Sequence, residues 1–174
     1  MRDELTPQRL RALMDAIAQS APRRAFRVFL VGGTTAVLAG WRAVSNDADL
    51  FADDDAVFRD IQGIKERLNV SVEFARPEQF VPALGGSEGR HVFVQTVGRV
   101  SYYHYDPYSQ VFAKLVRGLY RDLEDARAFV RSGMVEPARL RSLVEAIPDS
   151  AYAKYPNLSR AAASQAVESL LSGR

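Results

Sequence analysis

Leu10, Leu13, Met14 and Ile17 recur at helical spacing behind Thr6 and Pro7, a capping hydroxyl followed by a residue suited to a first helical turn. Together they predict a helix over about 7–20. A continuous apolar run, Phe26 to Val31, ends at Gly32-Gly33 and predicts a buried strand followed by a tight turn. The next segment, TTAVLAGW, is apolar on several sides and reads as a buried helix. Asp47 to Phe51 forms a second short strand. Asp53, Asp54 and Asp55 then supply an N-cap and favourable charge for a helix through about Leu68, closed by Asn69. Val70, Val72 and Phe74 alternate with Ser71, Glu73 and Ala75, predicting a third strand with one buried face. After a Pro- and Gly-containing stretch from Arg76 to Gly89, HVFVQTV and VSYYHY flank Gly98-Arg99 as the two arms of a hairpin.

From Pro107 the period changes to that of a helix. YSQVFAKLVRGLYRDLEDARAFVRSG predicts one long helix stopped at Gly133, with Gly118 as the point where it could break. Pro137 opens another helix to about Ile147, and Ser159 caps a last one through about Leu171. The expected fold is α+β, with a small mixed β-sheet flanked by helices over residues 1–106. A helical C-terminal third, 107–174, is expected to pack on it as a single compact unit.

Composition narrows the chemistry more than the fold. Hydrophobic residues at 47% and charged residues at 25% match a globular chain able to bury a core. The absence of cysteine removes disulfides, thiolate catalysis and cysteine-ligated zinc, so a metal site must use oxygen or histidine. No apolar run approaches the roughly 20 residues that span a bilayer, and the N-terminal segment is charged and amphipathic rather than signal-like. The expectation is a cytoplasmic protein with no membrane partner. Net charge is +2; residues 1–90 carry 12 basic and 13 acidic side chains, residues 91–174 carry 11 and 8. That imbalance is too small to argue a nucleic-acid surface from charge.

Two constellations carry candidate chemistry. In VFLVGGTTAVLAGWRAVSNDADLFA, a strand leads to Gly32-Gly33, a helix, and a strand bearing Asp47 and Asp49. Glycines let the backbone approach a phosphate, the helix N-terminus offers unpaired N–H groups, and Thr34 and Thr35 add hydroxyl donors. Asp47 and Asp49, two apart on a strand, point to one face and can share a metal; magnesium or manganese suits such oxygen donors. A GG turn and a surface DxD are each common, so the weight rests on their combination. In the second constellation, K-L-V-R-G-L-Y-R-D-L-E-D, about 100° per residue sets Lys114, Arg121 and Asp125 within about 40° of one another on an unbroken helix. Asp122 then lies at the core edge, where a carboxylate wants a cation or a metal. Ordinary ion pairs on a surface helix explain Glu124 and Arg127 but not Asp122. If Gly118 breaks the helix, these angles fail and Arg121-Asp122 opens a second one.

The Gly32-Gly33 turn followed by Asp47-x-Asp49 resembles the first motif of the DNA-polymerase-β-like nucleotidyltransferases. The later K-L-x(5)-R-D-x-x-D run is similar to that of the AbiEii/AbiGii-type nucleotidyltransferase toxins. The resemblance implies a metal-dependent enzyme moving a nucleoside monophosphate from a nucleoside triphosphate to an acceptor hydroxyl. It further implies an RNA or tRNA acceptor and a cognate antitoxin protein as partner. It gives Lys114 to the triphosphate, Asp122 to catalysis or metal linkage, and Arg121 and Asp125 to their support. One departure is that the hydroxyl often found directly after the first glycine comes here only from Thr34 or Thr35. A non-catalytic triphosphate-binding or protein-interaction module on the same fold is the rival reading. Weaker candidates are Glu73, a third carboxylate or a solvent-facing residue; His104, for which an edge-strand histidine is the plainer reading; Arg42, at a phosphate or capping a helix; and Tyr152 and Tyr155, for packing or for base stacking.

Overall fold

The computed structural model describes residues 1–173 and divides the chain into two compact units. The first comprises Met1–Arg76 and Val92–Tyr105, the second Pro77–His91 and Asp106–Arg174. Residues 77–91 group with the helices.

In the first unit α1 (Pro7–Ser20) begins at Thr6, whose hydroxyl accepts from the Arg9 N–H at 3.2 Å. β1 (Phe26–Val31), α2 (Gly32–Ala39), β2 (Asp47–Ala52), α3 (Ile61–Leu68), β3 (Ser71–Phe74), β4 (Val92–Val97) and β5 (Val100–His104) follow. The sheet order is β3-β2-β1-β5-β4. β1 runs antiparallel to β2 and parallel to β5, β2 parallel to β3, and β4 antiparallel to β5. Alternation sets the layers. Val28, Leu30, Ala48, Leu50, Val72, Val100 and Tyr102 share one core with Leu10, Leu13, Met14 and Ile17 of α1 and Ile61 and Ile64 of α3. Tyr102 reaches across this core to donate its hydroxyl to the Met14 carbonyl at 2.6 Å.

Three local expectations change. The double glycine is not a turn before a helix but the first turn of α2 itself. The Asp53–Asp55 cap serves a short 3-10 segment, Asp55–Phe58, capped by Asp54, while α3 begins separately without a side-chain cap. Phe74, expected on the buried face of β3, is 53% exposed because β3 is the sheet's edge and ends there.

The second unit holds α4 (Pro107–Arg117), α5 (Tyr120–Arg131), α6 (Pro137–Glu145) and α7 (Arg160–Leu171). Gly118, at φ +69°, ends α4, so the long helix is two. Every residue of α4 from Pro107 to Leu115 is buried. Its N-cap, Asp106, is fully buried, accepts from the Tyr108 N–H at 3.1 Å and the Ser109 hydroxyl at 2.6 Å, and receives Arg90 through Nε at 3.0 Å and Nη2 at 2.8 Å. This two-pronged pair ties the 77–91 segment to the start of α4. Tyr155 is taken up in packing, donating its hydroxyl to the Glu78 carbonyl at 2.5 Å, and Tyr152 lies under Arg160. No helix among the described residues is long and apolar enough to cross a membrane.

Candidate functional site

The first constellation assembles within the sheet unit. β2 places Asp47 and Asp49 on one face of the sheet, both half-buried, with Ala48 turned into the core. Asp49 lies opposite Val31, the last residue of β1, so the carboxylate stands beside the turn into α2. The glycines are explained by that approach. At Gly32, where φ is +55°, an added Cβ would lie 2.9 Å from Asp49 Oδ2. At Gly33 it would lie 2.5 Å from Ser45 Oγ and 2.9 Å from Arg42 Nη1. A side chain at either position would push into the carboxylate or the guanidinium.

Arg42 therefore stands against the first turn of α2, whose N-cap residue, Val31, provides no side-chain cap. Ser45 was not anticipated; it donates to the Asp47 carbonyl at 3.0 Å and holds the entry to β2. Its only sequence signal is its place two residues before the DxD.

Thr34 and Thr35, expected as donors to a phosphate, are fully buried. The Thr34 hydroxyl accepts from the Asp49 N–H at 2.7 Å. Thr35 donates to the Leu30 carbonyl at 3.0 Å and meets His104 Nδ1 at 3.1 Å. Because the single Thr35 hydrogen goes to Leu30, its oxygen is the acceptor toward His104, and the imidazole carries its proton on Nδ1. Both threonines thus position β1, α2, β2 and β5 behind the carboxylates. His104 is not on an edge strand, since β5 lies between β1 and β4; burial pushes its pKa down to about 4, so the ring stays neutral.

Glu73 lies opposite Asp49 in the β2–β3 register, on the same sheet face, and is exposed. Among the described residues no three His, Asp or Glu side chains are grouped to share one metal.

The second constellation lies in the helical unit and is internally compensated. Lys114 is buried at 7% exposure, with Nζ 2.9 Å from Asp125 Oδ2 and 3.7 Å from Asp122 Oδ1. Arg117 Nε lies 3.3 Å from Asp122 Oδ2. Two cations and two buried carboxylates thus neutralise one another across the α4–α5 corner. The break at Gly118 replaces the single stripe expected of an unbroken helix. Lys114 and Asp125 still meet, from different helices, while Arg121 in the first turn of α5 is exposed. Asp122 lies within ion-pair distance of Arg117 and Lys114, while among the described residues its buried Oδ2 has no hydrogen-bond partner.

Comparison of this chain with family models, curated proteins and solved structures finds no match.

Proposed function

We propose that the chain transfers a nucleoside monophosphate from a nucleoside triphosphate to an acceptor hydroxyl, using magnesium or manganese held by Asp47 and Asp49. The observation that carries this reading is the Asp47–Asp49 pair on one face of β2 with the side-chain-free Gly32 only 2.9 Å from Asp49 Oδ2 by its would-be Cβ. The donor set is all oxygen and half-buried, which suits a hard divalent ion that also keeps phosphate and water ligands. When bound, such an ion supplies charge stabilisation at phosphate oxygens.

The chain's own residues account for the rest. The N–H groups of the first turn of α2 and the Arg42 guanidinium offer positive charge to a triphosphate beside the carboxylates. Ser45 and Thr34 fix β2 through the Asp47 carbonyl and the Asp49 N–H. In the reaction the acceptor oxygen bonds to the α-phosphorus as the α–β bridging bond breaks. Pyrophosphate leaves with that electron pair, and the hydroxyl proton is lost to solvent. An RNA or tRNA acceptor and an antitoxin partner extend this reading by resemblance alone.

A second reading, a triphosphate-binding module that acts through protein contacts, is favoured by one observation. Lys114, expected at the triphosphate, already has two buried carboxylate partners. Manganese binding separates a metal site from a bare protein surface. Electron paramagnetic resonance with manganese and a non-hydrolysable triphosphate is expected to show bound metal in the wild type, weakened at least tenfold by Asp49→Asn. Equal binding by both proteins would remove the metal role from Asp49.

A further inference from the structure

Across the sheet, on the face that carries Asp47 and Asp49, four aromatic residues stand in one cross-strand row. Phe51 of β2 is opposite Phe29 of β1, Phe29 opposite Tyr103 of β5, and Tyr103 opposite Phe93 of β4. Residues directly opposite in register share a face, so the rings form a continuous ladder. Ring centroids are 6.0 Å, 5.7 Å and 5.6 Å apart along it, and Tyr105 meets Phe29 edge-on at 5.7 Å. Phe29 is buried, Phe51 and Tyr103 are half-buried, and Phe93 at the open edge is 57% exposed.

Two exposed arginines lie on this ladder. The Arg27 guanidinium sits 5.1 Å from the Phe29 ring centre and Arg76 sits 5.0 Å from that of Phe51. Arg27 also pairs with Asp53 at 2.6 Å, but both side chains are about half exposed, and a pair so solvated yields readily to a competing anion. Flat π-faces interleaved with guanidinium groups match the needs of unpaired bases on a phosphate chain.

We propose that this face is a binding platform for single-stranded nucleic acid, with bases stacking on Phe93 and Tyr103 and phosphates meeting Arg27 and Arg76. It deepens the nucleotidyl-transfer reading by giving the acceptor a place on the same face as the carboxylates. Binding itself needs neither metal nor triphosphate.

The test is fluorescence anisotropy with a labelled 12-residue oligouridine, the same length of oligoadenosine, and a 12-base-pair RNA duplex, without metal or triphosphate. Single strands are expected to bind, the duplex at least tenfold more weakly. Phe93→Ala, at an exposed position where folding is checked by thermal melting, is expected to weaken single-strand binding by about tenfold. Phe93→Trp restores it, and Arg76→Gln lowers the salt slope by about 0.7. Equal affinity for duplex and single strand, wild-type affinity in Phe93→Ala, or no binding by folded wild-type protein would each overturn the platform. Because no step of this assay uses metal or a triphosphate, a failure here leaves the metal site standing. Failed label transfer with intact oligonucleotide binding would strike only the enzyme reading.

Discussion

His104 shows how far a single residue's environment can depart from its sequence setting. The run VSYYHY offers a histidine among tyrosines on a hairpin arm, and nothing in that pattern says whether the strand lies at an edge. Parallel pairing of β5 with β1 puts it inside the sheet, where Thr35 accepts its Nδ1 proton and burial lowers its pKa to about 4. The unfolded chain would take up a proton near the ordinary value of 6.5, while the folded chain resists until about pH 4. The stabilisation from the neutral buried ring is therefore complete above pH 6.5 and is lost as pH falls toward 4. Relative to a His104→Gln variant, the wild type is expected to lose about 3 kcal/mol across that window. Urea unfolding of both proteins at pH 7.5, 6 and 5 reads the difference; parallel pH profiles would contradict it.

At the scale of elements, boundaries marked by local chemistry were legible and those decided by tertiary pairing were not. Thr6-Pro7, Asn69 and Ser159 each mark an end that needs no distant partner, and the observed elements begin or stop there. Gly118 carried both readings in the sequence, because glycine tolerates a helix interior at modest cost yet is favoured in the left-handed C-cap; the structure takes the second. That choice creates the α4–α5 corner and brings Lys114 to Asp125 and Asp122. Removing one partner of such a buried set leaves charges uncompensated. Lys114→Met is expected to cost about 3–5 kcal/mol, and adding Asp125→Leu to recover a large part of it. Guanidinium unfolding of the single and double variants checks the coupling. A single variant as stable as the wild type would mean that Lys114 is not held by these carboxylates.

At the scale of the whole molecule, the two constellations fall in different units, and their legibility differs for a physical reason. Asp47-x-Asp49 depends only on strand alternation, so its shared face follows directly from spacing. The tasks of Thr34 and Thr35 depend on where β2 and β5 run beside α2, which no local pattern encodes; both hydroxyls turn inward to hold the backbone. The aromatic ladder was likewise hidden, since Phe29, Phe51, Phe93 and Tyr103 lie on four strands and meet only through register. Residues 77–91 joined the helical unit through Arg90 and Asp106, a pair 16 positions apart with no motif to announce it.

The central claim is that Asp47 and Asp49 hold the metal for nucleotidyl transfer. It is tested most directly by incubating the protein with each α-labelled nucleoside triphosphate, magnesium and total RNA, beside Asp47→Ala, and reading label on a gel. The account predicts label on RNA from the wild type, abolished by chelation of the metal and reduced at least a hundredfold in a variant that still folds. Equal labelling by wild type and Asp47→Ala, or labelling that persists without divalent metal, would contradict it.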